Sequence, residues 1–511
     1  METAPPAGRV RATMVATLTT LPAGSALPRA SDLEGVDWLE VRGDLVGDLD
    51  AAQLRPIFPG KLLYTLRSRA EGGASEGAPE RRRQRLIDAA ARYDFVDLEA
   101  ARDLTLDVLK AVPAGKRVIS WHGPAPGLDG LTAIFERMAV HPAALYKLIP
   151  TAVQPGDEVA ALLLLASLGR RDVAAFAAGP GGAWTRLLAP RLGAPVVYAA
   201  LGDVPGAPGQ ISLARLRQDY GLPELPPIES VFGLIGNPVT HSLSPRIHNA
   251  AYRALGIPAV YLPFHTDSFG DFWLEVVENA ALDAIGLGIR GLSVTAPFKE
   301  SALAVCGAES PLVSLIGAAN TLVCNQGVWE AEATDPDGVV LPLRDRGLAI
   351  EGMEAAVIGA GGAGRSAVAG LHRAGARVTL FNRDPERGKS SAAYLAAKQL
   401  HVTFRPLPEL DPSAFDLLVN ATSLGRGADD PLPFAVDRLR KGAVVIDLVY
   451  FMDRPTRLLA EAAARGAVAI DGREVLVDQA RGQFQLMTGR ELPLGLARQA
   501  AGLDPELRPE R

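Results

Sequence analysis

Lys147 lies in "LYKLIP", with Leu145, Tyr146, Leu148 and Ile149 around it. An ammonium in an apolar wall loses solvation and its pKa falls. The neutral amine that results is a candidate nucleophile, able to form an imine with a ketone. His122, in "SWHG", is a candidate for moving the protons that such chemistry needs. Glu40, Arg42, Arg67, Glu99 and Arg186 add two carboxylates and three guanidinium groups. In the second half, "VTHSLSPRIHN" puts Ser242 and Ser244 one residue apart, where the strand-like "VFGLIGNP" gives way to a helix. Further on, "VIGAGGAGRSA" carries Gly359, Gly361 and Gly364 in G-x-G-x-x-G spacing.

The first group needs a scaffold that gathers residues far apart in sequence. From Glu40 through Arg67, Glu99 and His122 to Lys147 the spacing is 23 to 32 residues, about one βα unit each time. Short apolar strands recur at matching positions: "ATMVATLTT", "WLEVRGDL", "KLLYTLRS", "YDFVDLEA", "RVISWHG", "LYKLIPTA", "VAAFAAG" and "PVVYAALG". Helical patterns such as "ERRRQRLIDAAARY", "LTAIFERMAVH" and "GDEVAALLLLASLG" lie between them. Eight strands alternating with helices predict a (β/α)8 barrel, and the polar residues at strand ends converge on its mouth, where barrels keep their chemistry. The basic run "ERRRQR" reads as a solvated helix start. "YGLPELPPIES", with three prolines and no amphipathic period, reads as a short stiff linker over 223–230.

The glycine motif has the context that makes it specific. "EAAVIGAGGAGRSAVAGLHRAGARVTLFNR" is strand, glycine turn, helix, strand, in which the backbone of Gly359, Ala360, Gly361, Gly362 and Ala363 can approach a pyrophosphate on the helix N-terminus. The second strand ends in Asn382-Arg383. An arginine there suits a 2′-phosphate and favours NADP, with Arg387 and Lys389 adding positive charge. Asp384, one residue on, leaves an NAD-type ribose contact open.

"EVRGD", "TLRSRAEGG", "DFVDLEA", "ISWHG", "LYKL" and "APGQI" resemble, in order, the motifs of type I 3-dehydroquinate dehydratases over residues 10–222. The resemblance implies that Lys147 forms the imine and His122 moves protons as the hydroxyl leaves. It also implies that Glu40, Arg42, Arg67, Arg186 and Gln210 bind the substrate. The family often has Ser four residues before that Gln, where this chain has Gly206.

From 231 to 500, "HSLSP", "VTAPFK", "GAANT", "GAGGAG", "NATSLG", "DLVY" and "DQARGQF" resemble shikimate dehydrogenases. On that resemblance Ser242 and Ser244 point two hydroxyls at one planar carboxylate, helped by free N–H groups of the turn. Lys299 and Asp335 are the proton-transfer pair; a free lysine is a poor acid or base, so its neighbours must tune or position it. Thr295, Asn320, Tyr450 and Gln479 hold ring hydroxyls, and Leu448 and Gly472 line the nicotinamide end. "ATDPDG" is an unusual turn around the aspartate, and Thr334 selects Asp335 over Asp337.

The expected fold is therefore α/β. It has a barrel (1–222), a small α/β substrate-binding domain (231–345, with helices of 474–503 packing back on it) and a Rossmann NADP domain (346–473). The two resemblances name adjacent reactions, so the expected function is a bifunctional enzyme of aromatic biosynthesis acting on 3-dehydroquinate and 3-dehydroshikimate. The alternatives are an NAD-dependent quinate/shikimate dehydrogenase in the second half, or one non-catalytic half. At 511 residues the chain exceeds a single core, and a net charge of −6 gives no reason to expect nucleic acid or an anionic membrane. No long apolar run suggests a span or leader. Two cysteines, Cys306 and Cys324, suit a reducing cytoplasm rather than a disulfide framework. No metal is expected, and the oligomeric state is open.

Overall fold

The computed structural model describes residues 10–21, 27–202, 204–427 and 429–506, so the first nine residues of the stretch read for a leader lie outside the described residues. The chain divides into two compact units, Met1–Val231 with Pro258–Ile289, and Phe232–Ile257 with Arg290–Arg511.

In the first unit eight strands run side by side: Thr13–Leu18, Trp38–Arg42, Lys61–Thr65, Phe95–Glu99, Arg117–Pro124, Leu145–Thr151, Val173–Ala175 and Val196–Ala200. Every ladder is parallel, and the first strand also pairs with the last. The strands are apolar almost throughout because both faces are covered, inside by the barrel and outside by helices. Pro79–Arg92 illustrates the outer layer. It opens on a proline at its first turn and turns Leu86, Ala89 and Ala90 inward. Of the arginine run expected to be solvated, Arg81 is exposed, but Arg82 is held inward by Asp103 at 2.7 Å and Arg85 is paired with Asp48. Among the described residues no ladder joins Val173–Ala175 to Val196–Ala200, so the eight-stranded sheet has one open seam. The seventh strand is only three residues long and soon meets Gly179-Pro180-Gly181-Gly182, which cannot extend a ladder.

The stretch expected as a free linker is extended but not free. Glu224–Leu225 pairs antiparallel with Val10–Arg11, and the Ala12 N–H donates to the Pro223 carbonyl at 3.0 Å. Leu222, Leu225 and Ile228 are buried. Proline removes a donor but keeps an acceptor, so a proline-rich stretch can still serve as an edge strand. Leu225→Ala in the full chain is expected to cost roughly 2–5 kcal/mol, read as a lower temperature of thermal inactivation of the barrel's activity. An unchanged temperature would return this stretch to the status of a linker.

The second unit carries two sheets. In one, Ser230–Gly236, Ile289–Val294, Thr321–Asn325, Val328–Glu332 and Ala308–Glu309 are successive neighbours, with antiparallel and parallel pairs mixed. The other is wholly parallel. Its six strands, Glu354–Ile358, Arg377–Asn382, Thr403–Pro406, Leu417–Asn420, Val444–Asp447 and Val468–Asp471, stand in spatial order 3-2-1-4-5-6, the doubly wound dinucleotide arrangement. The long helix Gly472–Thr488 packs on Ser244–Leu255 and Asp335–Asp345. Among the described residues no helix is long and apolar enough to cross a membrane.

Candidate active sites

A cavity of about 230 Å³ in the first unit is lined by Glu40, Arg42, Arg67, His122, Lys147, Arg186 and Gln210, so every expected barrel ligand meets at one place. Lys147 is buried, its Nζ 3.7 Å from Glu40 Oε1 and 3.9 Å from Asp97 Oδ2. Burial lowers the amine's pKa; those two carboxylates pull it back, and Arg67 and Arg42 push it down again. The net fall raises the fraction of neutral amine. Glu40 is held ionised: burial opposes this, but Lys147, Arg42 and the hydroxyls of Thr17 (2.7 Å) and Thr65 (2.8 Å) prevail.

The three arginines divide. Arg42 spends Nε and Nη2 on Asp44 and Nη1 on the Gly206 carbonyl. Arg67 spends its terminal nitrogens on Glu71, Asp97, Glu99 and Ser120. Arg186 has no ion pair among the described residues, its Nε lacks any hydrogen-bond partner, and its guanidinium stands over Phe176 at 4.2 Å. Burial pulls it down to about 10. A buried cation with no ion pair among the described residues, lining a cavity and drawn only at longer range by Glu40, is suited to receive an anionic group. Gly206 fits its surroundings as glycine. A Cβ there would stand 2.9 Å from Thr19 Cγ2 and 3.0 Å from Gln210 Oε1, while its own N–H donates to that Gln oxygen at 2.7 Å.

Glu71, which the sequence reading passed over, is the partner of His122. Its Oε2 is 3.0 Å from His122 Nδ1 and accepts from the His122 backbone N–H at 3.2 Å. Burial pushes Glu71 up to about 8 against the pull of Arg67 at 3.0 Å, with Glu99 and Asp97 adding to the rise. Burial, then Arg67 and Lys147, drive the His122 pKa well down, so its imidazole is neutral and ready to take a proton. With Nδ1 tied to Glu71, Nε2 is left for substrate. Glu71→Gln keeps a hydrogen bond but removes a site for the shared proton. It is expected to forfeit part of the roughly 10²–10⁴-fold that a positioned proton-transfer group contributes to kcat, with little change in KM. A raised KM at unchanged kcat would make Glu71 a binding residue instead.

In the second unit Lys299 Nζ donates to Asp335 Oδ2, and Asn320 Nδ2 donates to the other oxygen at 2.8 Å. Asn320 also donates to Thr334 Oγ1 at 2.9 Å and, more loosely, to Gln479 Oε1 at 3.5 Å. Asp335 opens the helix Asp335–Asp345 with Pro336 behind it, which is how "TDPDG" folds, and Asp337 is exposed. Gln483 donates to the Asn320 carbonyl at 3.1 Å and accepts from Ser293 at 2.9 Å; neither was read from the sequence. Ser242 and Ser244 hydroxyls are 3.2 Å apart at the start of Ser244–Leu255, and the Leu243 N–H reaches the Tyr450 hydroxyl at 3.5 Å. Thr295 follows the strand Ile289–Val294.

The dinucleotide cradle is set by two glycines. Gly359 has φ +114°, and a Cβ on Gly364 would stand 1.8 Å from the Gly359 carbonyl. Ala360 and Gly361 then lead into Gly362–Arg373, whose first turn includes Ala363 and leaves its N–H groups free for a phosphate. Asp384 Oδ1 accepts from the N–H groups of Glu386 and Arg387 and caps Pro385–Ala397. Arg383 is exposed and makes no ion pair among the described residues, and Arg387 Nη2 lies 3.5 Å from where a Cβ on Gly361 would be. Asn382 donates to the Asp384 carbonyl. Two basic groups beside an aspartate engaged in capping the helix fit a 2′-phosphate. A Cβ on Gly472 would lie 2.9 Å from the Leu448 carbonyl, and one on Gly362 3.2 Å from Lys299 Cβ, so the glycine turn abuts the lysine's stem.

The sequence model for type I 3-dehydroquinase matches residues 15–225, and that for the shikimate dehydrogenase substrate binding domain matches 234–322. The chain is 31% identical over 487 residues to the chloroplastic bifunctional 3-dehydroquinate dehydratase/shikimate dehydrogenase of Arabidopsis thaliana, covering 90% of this chain and 79% of that one. It is 42% identical to the shikimate dehydrogenase (NADP(+)) of Natronomonas pharaonis over 52% of this chain and 95% of that one. The crystal structure of shikimate dehydrogenase from Aquifex aeolicus superposes with a TM-score of 0.48 at 31% identity, over 53% of this chain and 97% of that chain. With both family matches in chain order and a single relative spanning nearly its whole length, the chain belongs to the bifunctional 3-dehydroquinate dehydratase/shikimate dehydrogenase family.

Proposed function

We propose that the chain performs two consecutive steps, dehydration of 3-dehydroquinate to 3-dehydroshikimate and reduction of that product to shikimate with NADPH. The observation that carries this reading is one chain holding two lysine sites of different kinds. Lys147 is buried beside a neutral His122, and Lys299 is fixed to Asp335 beside a dinucleotide cradle.

In the barrel, Arg186 receives the substrate carboxylate, and Glu40 and Gln210 orient its hydroxyls, with Arg42 and Arg67 organising the acids and the loop around the cavity. Neutral Lys147 attacks the ketone, water leaves, and the imine acidifies the neighbouring C–H. His122 takes that proton and returns one to the departing hydroxyl, with Glu71 fixing its ring. In the second unit Ser242 and Ser244 hold the carboxylate, and Thr295, Asn320, Tyr450 and Gln479 the ring hydroxyls. Lys299, aligned by Asp335, places a proton at the reacting oxygen. Residues 359–363 would hold the pyrophosphate of NADP, Asn382, Arg383 and Arg387 its 2′-phosphate, and Leu448 and Gly472 its nicotinamide. When bound, NADPH supplies the hydride. We assign the dehydratase to residues 1–229, the substrate-binding domain to 231–345 with the C-terminal helices, and the dinucleotide domain to 346–473. The free cysteines Cys306 and Cys324 support a reducing compartment such as the cytoplasm.

One assay tests the whole: dehydroquinate and NADPH with the purified chain should yield shikimate, and failure to consume either substrate sinks the corresponding half. For the cofactor, Arg383→Ala is expected to raise KM for NADPH about 10- to 100-fold, since a charged hydrogen bond contributes roughly 1.5–3 kcal/mol and 1.4 kcal/mol is tenfold. NADH should be little affected. A wild type that prefers NADH would overturn the NADP reading.

A further inference from the structure

Lys147 has one neighbour with no part in the scheme above. Its Nζ stands over the ring of Tyr198, 4.1 Å from the centroid. Tyr198 lies on the strand Val196–Ala200, lines the cavity and is buried, and its hydroxyl has no hydrogen-bond partner among the described residues. What the side chain offers the amine is its face. Burial, with Glu40 and Asp97 nearby, holds the phenol well above its usual range, so the ring stays neutral.

The charges around this nitrogen come from every side of the barrel. Glu40 and Asp97, at 3.7 and 3.9 Å, attract a cation. Arg67 and Arg42 oppose one, as does Arg186 across the same cavity. His122 is neutral and bound to Glu71. Burial itself disfavours positive charge.

The reaction nevertheless needs a cation here. Amine and ketone condense with loss of water to a C=N bond, which draws electrons from the adjacent C–H only while its nitrogen is protonated. Transfer of the C–H proton to His122 gives a neutral enamine. Expulsion of the hydroxyl, as water with the proton His122 returns, restores a cationic imine conjugated to the new C=C bond. Water then adds to the imine carbon and releases the unsaturated ketone and the lysine amine. At each cationic stage the charge sits where Nζ now sits, and the negative face of an aromatic ring favours a cation placed over it.

Resting on the imine reading above, we propose that the face of Tyr198 is a catalytic element that keeps the imine nitrogen of Lys147 protonated. Loss of that proton gives the basic limb of the kcat–pH profile for dehydration, so the ring sets where activity ends on the alkaline side. The test uses the full chain with two near-isosteric rings at position 198. Tyr198→Phe removes only the hydroxyl and serves as reference, and pentafluorophenylalanine at the same position reverses the ring's quadrupole. The fluorinated ring is expected to move the basic limb about one pH unit lower than the Phe reference, the scale of a desolvated cation–π contact. Borohydride trapping above neutrality should fall in step, while the dehydrogenase activity of the same chain stays equal in both. Coincident basic limbs overturn the proposal. If the perfluorinated chain does not fold, mono-, di- and trifluoro rings decide, because the limb must step down with each fluorine. Trapping in the unsubstituted chain separates the two ideas. No dehydroquinate mass on Lys147 sinks the imine itself, whereas mass on Lys147 with coincident limbs sinks only the role of the ring.

Discussion

Lys147→Ala is expected to abolish dehydration of dehydroquinate, a loss on the order of 10⁴–10⁶-fold, the scale seen when a covalent nucleophile is removed. The size follows from the site. His122 remains able to take a proton, but without the imine the C–H it faces is not acidic enough to give one up. Borohydride added with dehydroquinate should inactivate the wild type and leave ligand mass on Lys147, and the variant should not be trapped. Reduction of dehydroshikimate by the same chain should persist, because Lys299 and Asp335 lie in the other compact unit. Trapped mass on another lysine would overturn the assignment.

The second large effect is expected at Lys299. Its Nζ is fixed by Asp335, whose other oxygen is held by Asn320, so three side chains position one proton. Lys299→Ala should lower kcat for shikimate formation roughly 10²–10⁴-fold. Substrate affinity should change much less, since Ser242 and Ser244 remain. Asp335→Asn should show a kcat loss of the same kind. An unchanged kcat in both variants would mean that the proton travels by another route. A loss carried wholly by KM would make the pair a binding contact.

The barrel and the dinucleotide fold were legible because their patterns are redundant. A histidine or lysine in an otherwise apolar strand stands out, and so does a glycine turn between two strands. The barrel's threonines did not, because Thr17 and Thr65 sit in strands where threonine is favoured on conformational grounds alone. Glu71 was invisible for the opposite reason: "RAEGGASEG" has no period from which to read a direction, and only the fold brings it to His122. Arg42 and Arg67 were read as substrate ligands, but a sequence does not say which nearby acids claim a guanidinium first. Asp384 was ambiguous because one residue type both caps helices and binds ribose, and the backbone decides which. The proline-rich joint was read from composition, which cannot show that Leu225 has an edge to pair with.

Arg186 bears on how long the protein lasts as well as on what it does. A buried guanidinium with no ion pair among the described residues, offset only in part by Glu40, puts an electrostatic load on the barrel when no anion is bound. A carboxylate ligand that binds only the folded chain relieves that load and adds about 2.7 kcal/mol of stability at a hundredfold excess over its Kd. The melting temperature of the first unit is thereby tied to the concentration of dehydroquinate and its product. When flux through the preceding reaction stops, the dehydratase sits closer to unfolding and is degraded sooner, because proteolysis follows the population of the opened state. On the proposed role of Arg186 in receiving the substrate carboxylate, one side chain would make the abundance of the enzyme a record of supply.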